Sequence, residues 1–560
     1  MGDIKCEDRI EIMKSFLRII LAASVLLTPI SLSNAQETLT INGKQVTRVV
    51  IAPARSPIAK IIKTSLRKEY DAQKFESRKW YDAQKLYYFY GARHFEPLWL
   101  TQNEAGKTAF SNKALKIIEL FNNAHLSGLE PKNYLTDDIN LELIGDDQTK
   151  LAYVETAFSA VALNYAQDAY GGRINPRKVS NNFDYKPNKI DRAKLLLDMI
   201  HSNNPVNILL ALEPKHKEYI ALKSVLARHY NGDIKQVAII ADGKILRLGD
   251  EDTRLPLIRQ RLEIVSANIN KNIYDETLLS AIEGFQTKMG LTSDGIIGPA
   301  TIAAFNGGNA VMKEDVIANM EIWRWLPRDL GDFNVFVNIP EYRLTINNND
   351  KVTFSTRVVV GQTKFKTPLF SDEIEHIVVN PYWNVPRSIL NNELAPSIKS
   401  NPNYLASQNM ELVSGGKVVN DRNIDWSTTS MNKFYVRQRP GPRNALGSVK
   451  FLFPNKHAVY LHDTPSKSLF FRSRRAFSHG CVRVKDPWDF AKALLQIEPK
   501  ITYASITSQR GGKKERWNNV ATHIPVHLAY FTLRIDENGS VRSYGDIYGH
   551  NKRLKTLLGI

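Results

Sequence analysis

The apolar period of this chain changes once along its length, and that change most constrains what it can fold into. From about Lys68 to residue 308, apolar residues recur at helical spacing; from 333 they alternate. In "KALKIIELFNNAHLSGLEP", 113–131, Leu115, Ile118, Leu120 and Phe121 share a face, and Gly128 ends the helix. "KLAYVETAFSAVALNYAQDAYGGRINP", 150–176, is a long apolar helix stopped by Gly171, Gly172 and Pro176. A compact unit follows at 254–308. Leu278, Ile282 and Phe285 lie on one face, Gly290 caps that helix, and "DGIIGPAT" launches another at Pro299. Beyond 333, "FNVFVNIPEYRLTI", "VTFSTRVVVG" and "EIEHIVVNP" read as strands, with "NNND" as a hairpin turn. "AVYLHD", 458–463, is a strand ending in His462, and "DPWDFAKALLQI", 486–497, is a helix with Asp486 as N-cap and Pro487 at its first position. "HLAYFTLRIDENGSVRSY" turns over Glu537, Asn538 and Gly539.

The expected fold class is therefore multi-domain α+β, as a chain of 560 residues is too long for one core. A strand-poor basic linker occupies 36–65, an α-helical scaffold 66–253, a small three-helix module 254–308 and a mainly-β domain 316–500. Residues 501–560 form a C-terminal β-hairpin extension. The stretch 388–436 is less regular, polar and rich in Asn and Ser, and reads as an inserted cap or lid.

The N-terminus reads as a secretory signal, residues 1–35. Lys14 and Arg18 flank the start of an apolar run, "IILAASVLL", followed by Pro29 and the small-residue site "SNA". The acidic stretch before Met13 is foreign to such a leader and points to Met13 as the start. Removal after Ala35 takes Cys6 away and leaves Cys481 as the sole cysteine, with no disulfide partner. No apolar run is long enough to span a membrane. The net charge of +18 calls for an anionic partner or serves solubility. Export, and the lack of a basic stripe interleaved with stacking aromatics, exclude nucleic acid. An acidic extracytoplasmic polymer fits best.

A lone thiol kept in an oxidising compartment is inert by burial or kept for its chemistry. Cys481 stands in "SHGCVRV", 478–484, and 15 residues separate Ser478 from His462. One returning loop can bring a strand-end base to a loop thiol. Gly480 removes a side chain where a substrate carbonyl would approach the Gly480 and Cys481 amides. His462, Asp463, His479 and Cys481 are also ligand types for zinc, but their spacing fits no standard finger.

A histidine followed after about this interval by Ser-His-Gly-Cys resembles the signature of YkuD-type L,D-transpeptidases. "NMEIWRWLP", "VNIPEYRL", "NPYWNVP", "RQRPGPRNALGSVKF", "YLHDTP", "GGRINP" and "IPVHLAYFT" resemble the long, multi-domain YcbB-like branch. Phe285, Gln286, Gly290, Leu291, Asp294, Gly295, Gly298, Thr301 and Asn306 resemble a peptidoglycan-binding type 1 module; the alternative is a helical spacer with no ligand. The resemblance implies a periplasmic, cell-envelope enzyme with Cys481 as nucleophile and His462 as general base. It implies that the Asp463 carbonyl orients the imidazole, and that His479, Gly480 and Cys481 shape the oxyanion hole. Ser478 would support the loop. Many relatives end the motif in Asn; here Arg483 stands there, for loop bracing or for a stem-peptide carboxylate. Tyr460, Trp383 and Trp426 are candidates to line a groove, or are core. Arg437, Arg439, Arg443, Arg472, Arg474 and Arg475 could hold carboxylates or form a solvated basic face, and Asn444 joins the substrate-binding set.

The implied reaction is ping-pong acyl transfer. Cys481 takes the acyl group of a stem tetrapeptide, D-Ala leaves, and the side-chain amine of meso-diaminopimelate on a neighbouring stem resolves the thioester into a 3→3 cross-link. No metal or organic cofactor is called for. His462 and His479 are expected to depress the Cys481 pKa, and carbapenems to acylate its thiol. The alternatives are an L,D-carboxypeptidase, in which water takes the thioester, and a non-catalytic peptidoglycan-binding scaffold that grips glycan strands through 254–308.

Overall fold

The computed structural model describes residues 36–41, 44–72, 78–141, 146–233, 240–241, 243–264, 270–289, 291–306, 311–426, 428–536 and 539–560. The leader reading, with Cys6 and Met13, lies outside the described residues, as do Gly290 and the turn at 537–538. Among the described residues no helix is long and apolar enough to cross a membrane. The chain divides into two compact units.

The first unit comprises residues up to 114, 137–160 and 192–196. The segment read as a strand-poor linker holds two antiparallel strands, Gln36–Ile41 and Lys44–Val49, and the start of a helix, Pro57–Ala72. The linker reading gave its basic charge too much weight. Its residues alternate on either side of Asn42-Gly43, a dipeptide that favours tight hairpins. The helix starts where Ser56 accepts the Ala59 amide proton at 3.2 Å, and it buries Ala59, Ile62 and Leu66 at three- and four-residue spacing. A buried carboxylate, Glu155, organises this unit. It accepts the backbone amides of Leu98, Trp99 and Leu100 at 2.7, 3.0 and 3.1 Å and the Tyr90 hydroxyl at 2.7 Å.

The second unit holds everything that positions the functional site. The helix Asn112–Asn122 buries Ile117 and Phe121, whereas Leu115, placed on its apolar face by spacing, is exposed. The long helix Gln148–Gly171 stops where Gly172 takes φ +83°; a Cβ there would come within 2.7 Å of the Glu321 carboxylate. Glu321 belongs to the helix Lys313–Trp325, which is buried from Val316 onward. Its carboxylate pairs with Arg324 at 3.1 Å and accepts the Ile174 amide at 2.8 Å. Arg324 also donates to the Tyr219 hydroxyl and the Ser127 carbonyl. These bonds help offset the desolvation of the pair and tie Ser127, Ile174 and Tyr219 of the scaffold to the helix that leads into the sheet.

The module is three helices, Leu255–Arg261, Glu276–Lys288 and Pro299–Asn306, around Leu255, Ile258, Leu278, Ile282 and Ile302. Beyond it nine strands make one sheet. They are β1 (Phe333–Asn338), β2 (Arg343–Asn348), β3 (Lys351–Gly361), β4 (Phe370–Val379), β5 (Val449–Leu452), β6 (Leu461–His462), β7 (Ala476–Ser478), β8 (Val482–Val484) and β9 (Arg516–Ala529). The order is β7-β3-β8-β6-β5-β4-β9-β1-β2, and β2 pairs again with β3, so the sheet closes on itself. Asn349 and Asp350 take positive φ in the β2–β3 turn, as a tight hairpin requires.

Two readings change, and the expected cap takes shape. First, residues 501–560 are not an appended hairpin. β9 lies between β4 and β1, and its Ile524, Val526 and Leu528 are core; only Leu533–Ile535 and Val541–Ser543 form the hairpin. Second, the irregular stretch is a folded cap inserted between β4 and β5. Its strands Trp383–Asn384, Met410–Ser414, Lys417–Val419 and Tyr435–Gln438 pack with short helices over Leu390, Ile398, Leu412 and Val436. A core this small leaves most of its surface polar, which hid the periodicity. Third, Asp486 precedes the helix Pro487–Leu494 but makes no cap bond; its carboxylate accepts the Thr356 hydroxyl at 2.8 Å.

Candidate active site

β6 and β8 are parallel neighbours, with Leu461 opposite Val482 and His462 opposite Arg483. That register places Tyr460 beside Cys481 and draws the motif residues to one end of the sheet. On the other side of β6, Lys450 of β5 is the partner of His462. Directly opposed residues point to the same face, so His462 is flanked by a cation on each side.

His462 is buried, and its Nδ1–H donates to the Asp463 carbonyl at 2.5 Å, leaving Nε2 as the acceptor. Burial, Arg483 and Lys450 hold its pKa down at about 3. The Asp463 carboxylate accepts from Lys467 Nζ at 2.6 Å, the Thr464 amide at 2.7 Å, and the Ser448 hydroxyl and amide at 2.8 and 2.9 Å. Despite burial these donors hold its pKa low and fix the backbone that orients the imidazole.

Burial pushes the Cys481 thiol up to about 11, against the opposing pull of the Tyr460 amide, the Arg483 charge and the Tyr460 hydroxyl. This runs against the expected depression of the thiol: desolvation outweighs the neighbouring donors and raises it. The Tyr460 ring lies 5.6 Å from that of His462, edge to face. Sγ points to the Ala458 carbonyl at 3.9 Å, and among the described residues no hydrogen bond joins it to His462. Ala458 has φ +52°, in a turn where Asn455 Oδ1 accepts the His457 and Val459 amides at 3.0 and 3.2 Å.

Ser478 is buried. Its hydroxyl donates to the Cys481 carbonyl at 2.5 Å and accepts the Gly480 amide at 3.1 Å. Gly480 has φ +117°, a conformation that excludes a side chain, so glycine is needed for the loop's shape as well as for space. Its amide is taken by Ser478. The His479 and Cys481 amides make no hydrogen bond within the chain among the described residues, and these two remain open to an oxyanion. The His479 imidazole faces the cap, with Nε2 2.8 Å from Glu393 and its ring 4.7 Å from Phe365.

Arg483 Nε is buried without a hydrogen-bond partner, beside Cys481. Most of the other candidate contacts are engaged elsewhere. Arg437 and Arg439 both pair with Glu411 in the cap, and Arg437 also stacks on Tyr382. Asn444 has no exposure. It donates to the Arg439 and Pro381 carbonyls at 2.9 and 3.0 Å and accepts the Leu446 amide at 2.8 Å, so it braces a loop and offers nothing to a substrate. Trp383 packs on the cap core, as does Trp426 against Phe434. Arg475 lies over Tyr342; Arg472 and Arg474 are exposed. No group of three or more His, Cys, Asp or Glu side chains among the described residues comes together to hold a metal ion. Lys450, Glu393 and Phe365 were missed from sequence; strand register alone could have pointed to Lys450.

Residues 332–506 match the family model of the L,D-transpeptidase catalytic domain (YkuD), residues 254–305 that of a "Putative peptidoglycan binding domain", and residues 84–226 that of a "Scaffold domain". A protein of Haemophilus influenzae named "Putative L,D-transpeptidase" is 38% identical over 232 residues, which are 40% of this chain and 47% of that protein; the chain thus spans about half the length of this curated relative. Among solved structures, an L,D-transpeptidase from Xylanimonas cellulosilytica matches at 13% identity over 51% of this chain and 98% of its own, with a TM-score of 0.17. Another from Stackebrandtia nassauensis matches at 12% identity over 52% and 97%, with a TM-score of 0.19. Residues 332–506 are thus similar to the L,D-transpeptidase catalytic domain, and residues 254–305 to the peptidoglycan-binding family model.

Proposed function

On the premise of that catalytic domain, we propose that the protein is a peptidoglycan L,D-transpeptidase that forms 3→3 cross-links through a thioester on Cys481. It would work outside the cytoplasm, where its polymer lies. Sγ attacks the carbonyl of the third stem residue while His462 Nε2 takes the thiol proton. In this reading the raised thiol and the lowered imidazole favour proton transfer as the C–S bond forms. The His479 and Cys481 amides hold the oxyanion. His462 then gives its proton to the leaving D-Ala amine, and the C–N bond breaks. The acceptor amine attacks the thioester, loses its proton to His462, and the thiol is restored. The Arg483 guanidinium, whose Nε is enclosed, attracts a stem-peptide carboxylate through its charge.

The single observation that carries this reading is the His462 Nδ1–H bond to the Asp463 carbonyl, which leaves Nε2 as an acceptor on the strand beside Cys481. The test is incubation of the full chain with disaccharide-tetrapeptide and mass analysis of products. A cross-linked dimer that has lost one D-Ala supports transfer. Tripeptide alone would make the protein an L,D-carboxypeptidase, and unchanged substrate would make it a binding scaffold.

A further inference from the structure

The loop that carries Cys481 is braced from within by Ser478 and also rests on the turn that follows β3. The Gln362 amide donates to the Ser478 carbonyl at 2.9 Å, and Gly361 pairs with Ser478. The Phe365 ring supports the His479 imidazole, and a Cβ on Gly480 would lie 3.9 Å from the Lys366 carbonyl. Residues 361–367 thus form the floor under Ser478–Cys481.

That floor is gripped by a residue far along the chain. The buried Tyr548 hydroxyl donates to the Gly361 carbonyl at 2.5 Å and accepts the Thr367 amide at 3.2 Å, so one oxygen fixes both ends of the turn. Lys366 Nζ donates to the Tyr548 carbonyl at 2.9 Å. Tyr548 is itself held: its amide donates to the Tyr530 hydroxyl at 2.8 Å, and that hydroxyl donates to Asp546 at 2.6 Å. Tyr530 directly follows β9 in the middle of the sheet. Burial keeps the Tyr548 hydroxyl protonated, its pKa pushed up to about 12, so it stays a donor at any working pH. On the opposite side of the turn, the Asn182 amide group of the scaffold donates to the Lys366 carbonyl at 3.1 Å.

We propose that Tyr548, outside the segment that matches the catalytic-domain family, is a positioning residue for the nucleophile: its hydroxyl clamps the 361–367 turn and so fixes the loop carrying Cys481. The inference rests on Cys481 being the nucleophile. Tyr548 touches no reacting atom; it acts through two carbonyls and two amides. Displacement of a reacting group by about 1 Å costs on the order of a hundredfold in rate, so loss of one clamp that leaves the turn otherwise packed is expected to cost about tenfold.

The experiment follows acylation of Cys481 by a carbapenem in the full chain by intact-protein mass. Parent and Tyr548→Phe are compared for rate at saturation, half-saturating concentration, final stoichiometry and thermal midpoint. The phenyl ring keeps the packing and removes only the hydroxyl. The expected result is a saturating rate about tenfold lower, half-saturation within about twofold and full stoichiometry. Lys366→Met, which loosens the same turn from its other end, is expected to slow the rate in the same direction and serves if Tyr548→Phe fails to fold. An unchanged rate in either folded variant overturns the proposal. So does a lower stoichiometry with an unchanged rate for the molecules that react, since that is loss of fold alone. If the parent takes no adduct on Cys481, the nucleophile assignment has failed before any variant is made, and the clamp falls with it.

Discussion

The 254–305 module and the loop that carries Cys481 both hold a short motif of polar and glycine residues, and they use it in opposite ways. In the module every valence of Gln286 is filled from within. Its Nε2 donates to Asp294, the Ile296 carbonyl and Thr301 at 3.0, 3.0 and 3.2 Å, and its Oε1 accepts the Asp294 and Gly295 amides at 3.1 and 2.9 Å. Phe285 stacks on Phe305 at 3.9 Å. In the loop that carries Cys481, Ser478 is equally closed, but the His479 and Cys481 amides and Arg483 Nε have no partner among the described residues. The Gln286 motif satisfies itself and builds a fold, whereas the Cys481 loop keeps two backbone amides available beside a thiol.

The comparison breaks most visibly at its two centres. Cys481→Ala is expected to lower product formation at least about a thousandfold without changing the thermal midpoint. Gln286→Ala is expected to leave turnover of a soluble stem peptide within about twofold, while destabilising the module by about 2–4 kcal/mol, because it strands two buried amides. If the two variants exchanged these phenotypes, the contrast would be wrong. Next in size is Arg483→Gln, expected to lower kcat/KM about tenfold to a hundredfold on a donor with a free carboxylate, as loss of a charge-assisted bond would. An unchanged kcat/KM assigns Arg483 to bracing alone.

The pH dependence sharpens the same point with a smaller signal. Burial raises the thiol, so alkylation of Cys481 by iodoacetamide is expected to climb with pH through and beyond the ordinary cysteine range toward about 11, with no inflection near 6.5 from His462. A midpoint below that of a free cysteine would restore the expected depression. The smallest effect belongs to Glu393→Gln. Its pairing with His479 is half exposed, so the change in turnover is expected to stay within about fivefold, the worth of a surface salt bridge.

The division into helical and sheet regions, and the placing of His462 on a strand beside the segment that follows Cys481, were legible because each rests on local period or on short spacing. The rest depends on register and long-range pairing. Nothing near Arg516–Ala529 in the chain says that this strand enters the middle of a sheet begun at Phe333. Nothing in "SHGCVRV" says that the Gly480 amide closes on Ser478, or that Lys450 and Arg483 flank His462. Asn444 looked like a substrate contact because polarity is visible in a sequence and burial is not. The depressed thiol failed for a related reason: histidines are counted from sequence, whereas desolvation is a property of the packed site.

The most direct measurement is intact-mass analysis of the full chain quenched during turnover of tetrapeptide, followed by peptide mapping. The account predicts an adduct of the tetrapeptide less D-Ala, on Cys481, absent from Cys481→Ala and lost as acceptor amine is supplied. Turnover with no adduct under quenching fast enough to catch an intermediate, or an adduct on any other residue, would contradict it.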